Sequence, residues 1–123
     1  NVEAFYMKDV SKDLALEAMD AAIKFYNGTT FDGLSTGPSL KSYLVHLNTT
    51  KGGTTLSSSI ETKLQSAKTS INSLSNNFVN QITSDNNKML VTYDAIQSVV
   101  VLFKVDMLQA FNVNVDYTDA DGD

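Results

Sequence analysis

The sequence contains no cysteine and no arginine, and each absence excludes a class of site. Without cysteine there is no disulfide, no zinc–thiolate centre and no cysteine nucleophile. All nine basic residues are lysines, and fourteen carboxylates give a net charge of −5. Nucleic-acid binding usually needs a basic face, with arginine as the main base-reading residue, so that class is disfavoured. An anionic membrane surface is disfavoured for the same reason.

Long apolar runs are absent as well. No stretch approaches eighteen apolar residues, so no transmembrane helix is predicted. There is also no signal peptide, and the chain starts at Asn1 rather than at methionine. We therefore expect a processed protein or a fragment of a longer one. The 123 residues, 42% of them hydrophobic, suit one domain with a real core over 1–123.

Over most of the sequence the apolar residues recur with the spacing of an α-helix. An apolar face predicts a helix over Lys12–Tyr26, which ends at Gly28, and Val2–Val10 could extend it. Pro38 suits the first turn of a short helix that ends near Leu47, and Asn48–Thr55 is predicted to be a polar loop. The opposite face of the first helix carries Asp13, Glu17, Asp20 and Lys24, where Asp20 and Lys24 have pairing spacing.

A third helical segment is predicted from a single row of apolar residues, here called the seam. Ser58 and Glu61 have the spacing of a capping box near its start. Its members step by three or four: Leu56, Ile60, Leu64, Ala67, Ile71, Leu74, Phe78 and Ile82. A fourth segment begins near Asp85. Its apolar surface covers most of its circumference, which predicts a central helix, although 99–105 could alternatively be a strand.

The period changes to two at the end of the chain. Val113, Val115 and Tyr117 alternate with polar residues, which predicts a short strand with no obvious partner in the chain. The fold class predicted is therefore all-α, a helix bundle of three long helices and one short one, with a short C-terminal strand.

Candidate chemistry is sparse. His46, the single histidine, has no second ligand at metal spacing and no nucleophile in triad order, so a structural or exposed role is favoured. The acidic stripe of Asp13, Glu17 and Asp20 is more typical of a solvated helix face than of a cation site. Asn27 and Asn48 begin glycosylation sequons, a pattern that often occurs by chance.

The acidic C-terminus superficially resembles a calcium loop. Asp119, Asp121 and Asp123 surround Gly122, but an EF-hand loop that places glycine at position 6 would begin at Tyr117 and run past the end of the sequence. A solvated acidic tail is the better interpretation. P-loop, dinucleotide-binding, nucleophile-elbow and zinc-protease motifs are all missing from this sequence. We predict no catalytic, cofactor-binding or metal-binding residue.

Three stretches together resemble one family. They are Gly33–Leu47 (GLSTGPSLKSYLVHL), Ser57–Leu74 (SSSIETKLQSAKTSINSL) and Tyr93–Asp123, with its KVD turn and terminal DGD. In order and spacing they look like the C-terminal half of the imelysin family, the insulin-cleaving membrane-protease-like proteins. The likeness is greatest to a lipoprotein branch from Bacteroidetes.

The resemblance implies one half of an α-helical protein of two bundles, exported to the periplasm or outer cell surface. It implies a link to iron or haem acquisition or a disputed metallopeptidase activity, with iron or another divalent metal in the complete protein. The N-terminal half would be the partner, and a lipid anchor on the parent protein fits the same branch. The family's G-x-H-x-x-E motif is absent, since Leu44 and Thr49 flank His46 where glycine and glutamate would stand.

Three functional hypotheses follow. The first is a non-catalytic half of an imelysin-like protein in uptake or binding. The second is a stand-alone secreted helical module that only binds a partner. The third is part of a metallopeptidase that is active only with its N-terminal half.

Overall fold

The structure, a computed structural model, describes residues 8–113 and is mostly helical, which confirms the predicted helical class. After a 3-10 turn, Lys8–Val10, come α1 (Ser11–Asn27), α2 (Leu40–Leu47), β1 (Thr50–Lys51), β2 (Thr54–Thr55), α3 (Leu56–Asn72), α4 (Phe78–Val101), a π-helical turn (Leu102–Met107) and α5 (Leu108–Ala110).

The end of α1 follows from Gly28. This residue has a left-handed φ of 70°, and its amide donates back to the carbonyl of Phe25 at 3.1 Å. A Cβ at Gly28 would lie 2.6 Å from the Cβ of Ser39 and 2.8 Å from the carbonyl oxygen of Gly37. The helix therefore stops where predicted, and the same glycine lets the next loop close against it. Ala22, predicted on the buried face of α1, is exposed.

The short helix α2 begins with a reciprocal cap. The Oγ of Ser39 accepts from the amide of Ser42 at 3.0 Å, and the Oγ of Ser42 accepts from the amide of Ser39 at 2.8 Å. Pro38 was expected in the first helical turn, but it precedes the capping residue because serine satisfies the free amides better than proline can. Leu44 is the buried residue of this helix.

The predicted polar loop before α3 contains a small hairpin. Thr50 pairs with Thr55 and Lys51 with Thr54, across a two-residue turn of Gly52 and Gly53, both with positive φ. The capping box expected at Ser58 and Glu61 is not formed. Thr55 takes the capping position instead, and Glu61 pairs with Lys41 at 2.8 Å.

The long third seam is two helices rather than one. It is broken after Asn72, in a serine- and asparagine-rich run whose side chains compete for backbone partners. The Oγ of Ser73 donates to the carbonyl of Ser70 at 2.7 Å, and the side chain of Asn77 accepts from the amide of Asn80 at 3.0 Å. Phe78 therefore belongs to α4 and is half-buried, and Ile82 is exposed.

A kink in α4 agrees with the predicted start of a segment at Asp85. Its backbone is non-helical there, with φ −155° and ψ 80°, and its Oδ1 accepts from the amide of Lys88 at 3.2 Å. The side chain of Gln81, buried at 5% exposure, spans the break. It donates to the carbonyl of Asp85 at 2.8 Å and accepts from the amide of Ser75 at 2.9 Å.

The core is organised around α3, which lies between α1 and α4 and packs against both. The predicted seam is buried at Leu56, Ile60, Leu64, Ile71 and Leu74. The prediction that the fourth segment is central is wrong, because α4 buries only part of its apolar surface. The alternative of a strand over 99–105 is wrong too, since these residues are helical.

One end of the core is closed by aromatic residues. The ring of Tyr26 is fully buried, and it meets the ring of Phe103 edge-on at 5.7 Å between centroids. Its hydroxyl donates to the carbonyl of Ser57 at 3.1 Å. These contacts join α1, α3 and the π-helical turn. The predicted C-terminal strand lies almost wholly outside the described residues, which end at the exposed Val113.

Candidate functional site

His46 lies on the outer surface of α2. Its ring stacks at 6.5 Å on Tyr43, which in turn contacts the ring of Phe111 at 4.9 Å. Among residues 8–113, no group of three or more histidines and carboxylates is placed to hold a metal ion. The histidine is therefore the outer member of a row of three aromatic rings.

The acidic stripe of α1 lines a groove of about 570 Å³ against α3. Asp13, Glu17 and Asp20 all reach it, but the partner of Asp20 is Lys68 across the groove, at 2.5 Å, rather than Lys24 on the same helix. Both side chains are partly exposed, so the pair contributes little stability, about 0–1 kcal/mol. The groove is a solvated helix–helix boundary that carries one ion pair.

The two sequons differ in accessibility. Asn48 is exposed and ends α2 in a left-handed conformation with φ 50°. Asn27 is partly buried, and its Oδ1 is inaccessible to solvent and accepts no hydrogen bond. Asn48 is therefore the more accessible of the two sequon asparagines. The acidic residues Asp119, Asp121 and Asp123 lie outside the described residues.

A hairpin loop between α1 and α2 presents two apolar side chains to solvent. Phe31 and Leu34 are 110% and 86% exposed, respectively. The loop beneath them is closed by a bridge between Thr29 and Thr36 and by a bond of 2.8 Å from the amide of Gly37 to the carbonyl of Gly28. We call residues 30–35 the hairpin tip.

Asp32 organises this tip. Its Oδ1 accepts from the hydroxyl of Thr30 at 2.6 Å and from the amide of Leu34 at 3.0 Å. The hydrogen bond from Thr30, together with that from the Leu34 amide, lowers the pKa of the Asp32 carboxyl. The tip therefore places an ionised carboxylate between two exposed apolar groups.

A second group of exposed apolar side chains lies along the last long helix. Leu90, Tyr93, Val101 and Val105 are each 50–57% exposed. They follow one face of the helix, and Gln97 between them donates to the hydroxyl of Tyr93 at 2.8 Å. We call these four residues the α4 stripe, although Val105 lies in the π-helical turn that follows α4. An exposed apolar row along one helix face marks a contact surface more often than a scattered exposed leucine does.

The first helix has a matching feature. Leu14, Ala18, Ala21 and Phe25 are spaced by three or four residues on its exposed side, and Phe25 is 74% exposed. We call them the α1 stripe. The helix thus has two apolar faces, of which α3 covers one. Sequence analysis assigned its outer face to Asp13, Glu17, Asp20 and Lys24 and missed this second row, although its spacing is visible in the sequence.

The described residues define a mostly helical protein with exposed apolar rows on two of its helices. No protein-family model matches the chain. Neither the curated proteins nor the solved structures include a match. No helix within residues 8–113 has the length and hydropathy needed to cross a bilayer. The resemblance to the imelysin family therefore stays a prediction.

Proposed function

We propose that this chain is the non-catalytic half of an imelysin-like exported protein that works in iron- or haem-related uptake or binding. The observation that carries the proposal is the uncovered α4 stripe. Burying such side chains contributes about 25 cal/mol per Å² of apolar surface, which gives a neighbouring helix a strong reason to pack there. The preceding half of the same protein is the partner that the resemblance implies.

The α1 stripe supports the same arrangement. Helices α1 and α4 flank α3, and each keeps an apolar row that no other described element covers. Helices that are hydrophobic on two faces are typical of elements enclosed on two sides. A complete bundle would form when helices from the other half pack on these rows. Export to the periplasm or outer surface is part of this proposal, which takes it from the resemblance.

The chemistry of iron or haem binding would then belong to the other half. Within residues 8–113, His46 stacks on Tyr43 and no group of histidines and carboxylates is placed to hold a metal, so this proposal gives His46 no metal-binding role. In this proposal the chain supplies packing surface and shape. The G-x-H-x-x-E motif, if the parent protein has it, would supply the metal-binding groups.

The test uses the two halves as separate proteins. The coding sequence upstream of this chain is expressed alone, and its association with the chain is measured by calorimetry. Leu90→Asp and Val101→Asp on the α4 stripe should weaken association at least about a hundredfold, because each buries an unpaired charge. Thr62→Asp, on the exposed side of α3, is the matched control and should leave it unchanged.

A haem titration and a proteolysis assay of the assembled protein then separate the functions. Haem or iron binding by the assembly, with none by this chain alone, supports the uptake function. Metal-dependent proteolysis by the assembly would favour the metallopeptidase alternative. Absence of any association between the halves, with the control protein folded, would rule out the proposal.

The hairpin tip favours a second candidate, a stand-alone secreted binding module. Exposed aromatic side chains on a braced loop are typical anchors of protein interfaces. In that case Phe31→Ala would abolish partner binding, whereas Leu90→Asp would leave it intact. The opposite pattern is expected if the chain is half of a larger bundle.

A further inference from the structure

The exposed row on α1 has a spacing that is the same in both directions along the helix. The α1 stripe places Leu14, Ala18, Ala21 and Phe25 four, three and four residues apart. Its two ends are large side chains, 48% exposed at Leu14 and 74% exposed at Phe25, and its two central residues are exposed alanines. A row with this symmetry is complementary to a second copy of itself that runs in the opposite direction.

A two-fold axis midway between Ala18 and Ala21 sets the register of such a pair. Leu14 of each copy then lies opposite Phe25 of the second copy, and Ala18 lies opposite Ala21. The small alanines let the two helix axes approach to about 8 Å, the short end of the range for packed helices. Each copy therefore buries the same four residues, as a closed two-fold interface requires.

Two charges beside the stripe favour the antiparallel direction. Glu17 and Lys24 are exposed, and neither is in an ion pair with another residue among 8–113. Each precedes a stripe residue by one position, so both lie on the same side of the row. In the antiparallel pair these two sides meet, and Glu17 lies within about 3 Å, measured along the helix axis, of Lys24 in the second copy. A parallel pair would place them on opposite sides of the contact.

The other carboxylates on this side of α1 fit the same pairing. Asp20 already forms an ion pair with Lys68 of α3. Asp13 is four residues before Glu17, so in the antiparallel register Lys24 of the second copy lies between the two carboxylates. The contact therefore brings opposite charges together at both of its ends, which favours this orientation over others.

We propose that the chain pairs with a second copy of itself through the α1 stripe, as an antiparallel two-fold dimer. The contact spans residues 14–25 of each copy, fewer than the roughly 20–30 residues a side of a standard interface, so the dimer is weak and depends on concentration. In the proposed function the other half of the protein packs on the same row, so the two partners would compete for it. The dimer itself needs only this chain and does not depend on that function.

Sedimentation equilibrium of the purified chain between about 10 μM and about 1 mM tests the association. The apparent mass should rise with concentration from that of a monomer toward that of a dimer. Ala21→Glu should keep the chain monomeric, because it places one charge from each copy in the alanine contact. Circular dichroism should show that this variant stays folded, since Ala21 is exposed.

Two controls show which surface is used. Lys63→Glu changes an exposed lysine of α3 that does not line the groove between α3 and α1, and it should leave the association unchanged. Leu90→Asp on the α4 stripe should also leave it unchanged. Dissociation of the dimer by Leu90→Asp but not by Ala21→Glu would overturn the proposal, because the α4 stripe would then form the contact.

Charge reversal tests the register. Glu17→Lys and Lys24→Glu should each weaken the association about three- to tenfold, because either change breaks both ion pairs of the dimer. The chain that carries both substitutions should recover it, since each pair re-forms with the charges exchanged. Recovery supports the antiparallel dimer. A chain that stays monomeric at the highest concentration, or single reversals that the second reversal does not rescue, would overturn it.

Discussion

Tyr26 gives the sharpest test of the core, because its contribution to stability should change sign with pH. Its ring is fully buried against Phe103, and its hydroxyl donates to the carbonyl of Ser57. Burial, followed by the negative charge of Glu61, raises the pKa of Tyr26 to about 12 from a usual value of 10.0. The folded protein therefore strongly prefers the neutral phenol.

The direction of the effect follows from linkage. A raised pKa stabilises the folded state below the unfolded pKa, and that contribution is lost as the pH rises from about 10 to about 12. A shift of about two units corresponds to about 2–3 kcal/mol over this interval. The variant Tyr26→Phe cannot ionise. It loses one hydrogen bond at every pH, which costs about 0.5–1.5 kcal/mol.

The two stability curves should therefore cross. At pH 7 the Tyr26→Phe variant should be less stable than the parent by about 1 kcal/mol, and near pH 12 it should be the more stable of the two by a similar amount. Urea unfolding followed by circular dichroism, repeated across this range, measures both curves. Tyr93→Phe is the matched control, because Tyr93 is exposed and should give no crossing. Parallel curves for Tyr26→Phe and the parent would refute the reasoning.

Four further predictions concern packing, backbone and activity. Leu64→Ala should lower the free energy of unfolding by about 2–5 kcal/mol in urea titrations, since Leu64 is 1% exposed; a loss below about 0.5 kcal/mol would mean that the α3 seam faces water. Gln81→Leu should lower the free energy of unfolding by about 1–3 kcal/mol and speed hydrogen exchange of the Ser75 amide, because that amide would lose its acceptor. Unchanged exchange would show that Gln81 does not hold the turn at Ser75. Gly28→Ala should destabilise more than Gly52→Ala in thermal melts, because both have positive φ but only Gly28 is crowded. The purified chain should not cleave proteins; metal-dependent cleavage abolished by His46→Ala would show otherwise.

Sequence periodicity predicted the helices well where side chains face a core formed within the chain. The seam from Leu56 to Leu74 is buried as expected, and Gly28 ends α1 at the predicted place. Periodicity could not reveal that the helix ends after Asn72, because the apolar spacing continues unchanged across the break between the two helices. Ile82 continues the three-to-four pattern numerically, yet it follows a capped turn and is exposed. Local hydrogen bonding by Ser73 and Asn77 decided that point.

The candidate surfaces were harder to predict for a different reason. An apolar row on a helix is the same pattern whether it packs within the chain or against something else. Val101 and Val105 therefore suggested a central helix, although they are half exposed. Buried polar residues were also missed, because nothing in the pattern around Gln81 indicates that its amide joins two turns. Only three-dimensional placement distinguishes these cases.

The closure of the loop between α1 and α2 divides the chain into parts that can change independently. The bridge between Thr29 and Thr36 and the contact between Gly28 and Gly37 fix the base of the hairpin, while Phe31 and Leu34 at the tip are exposed. Insertions or substitutions at the tip would therefore leave the helical body undisturbed. The tip is also the natural position for a fluorophore or an affinity tag.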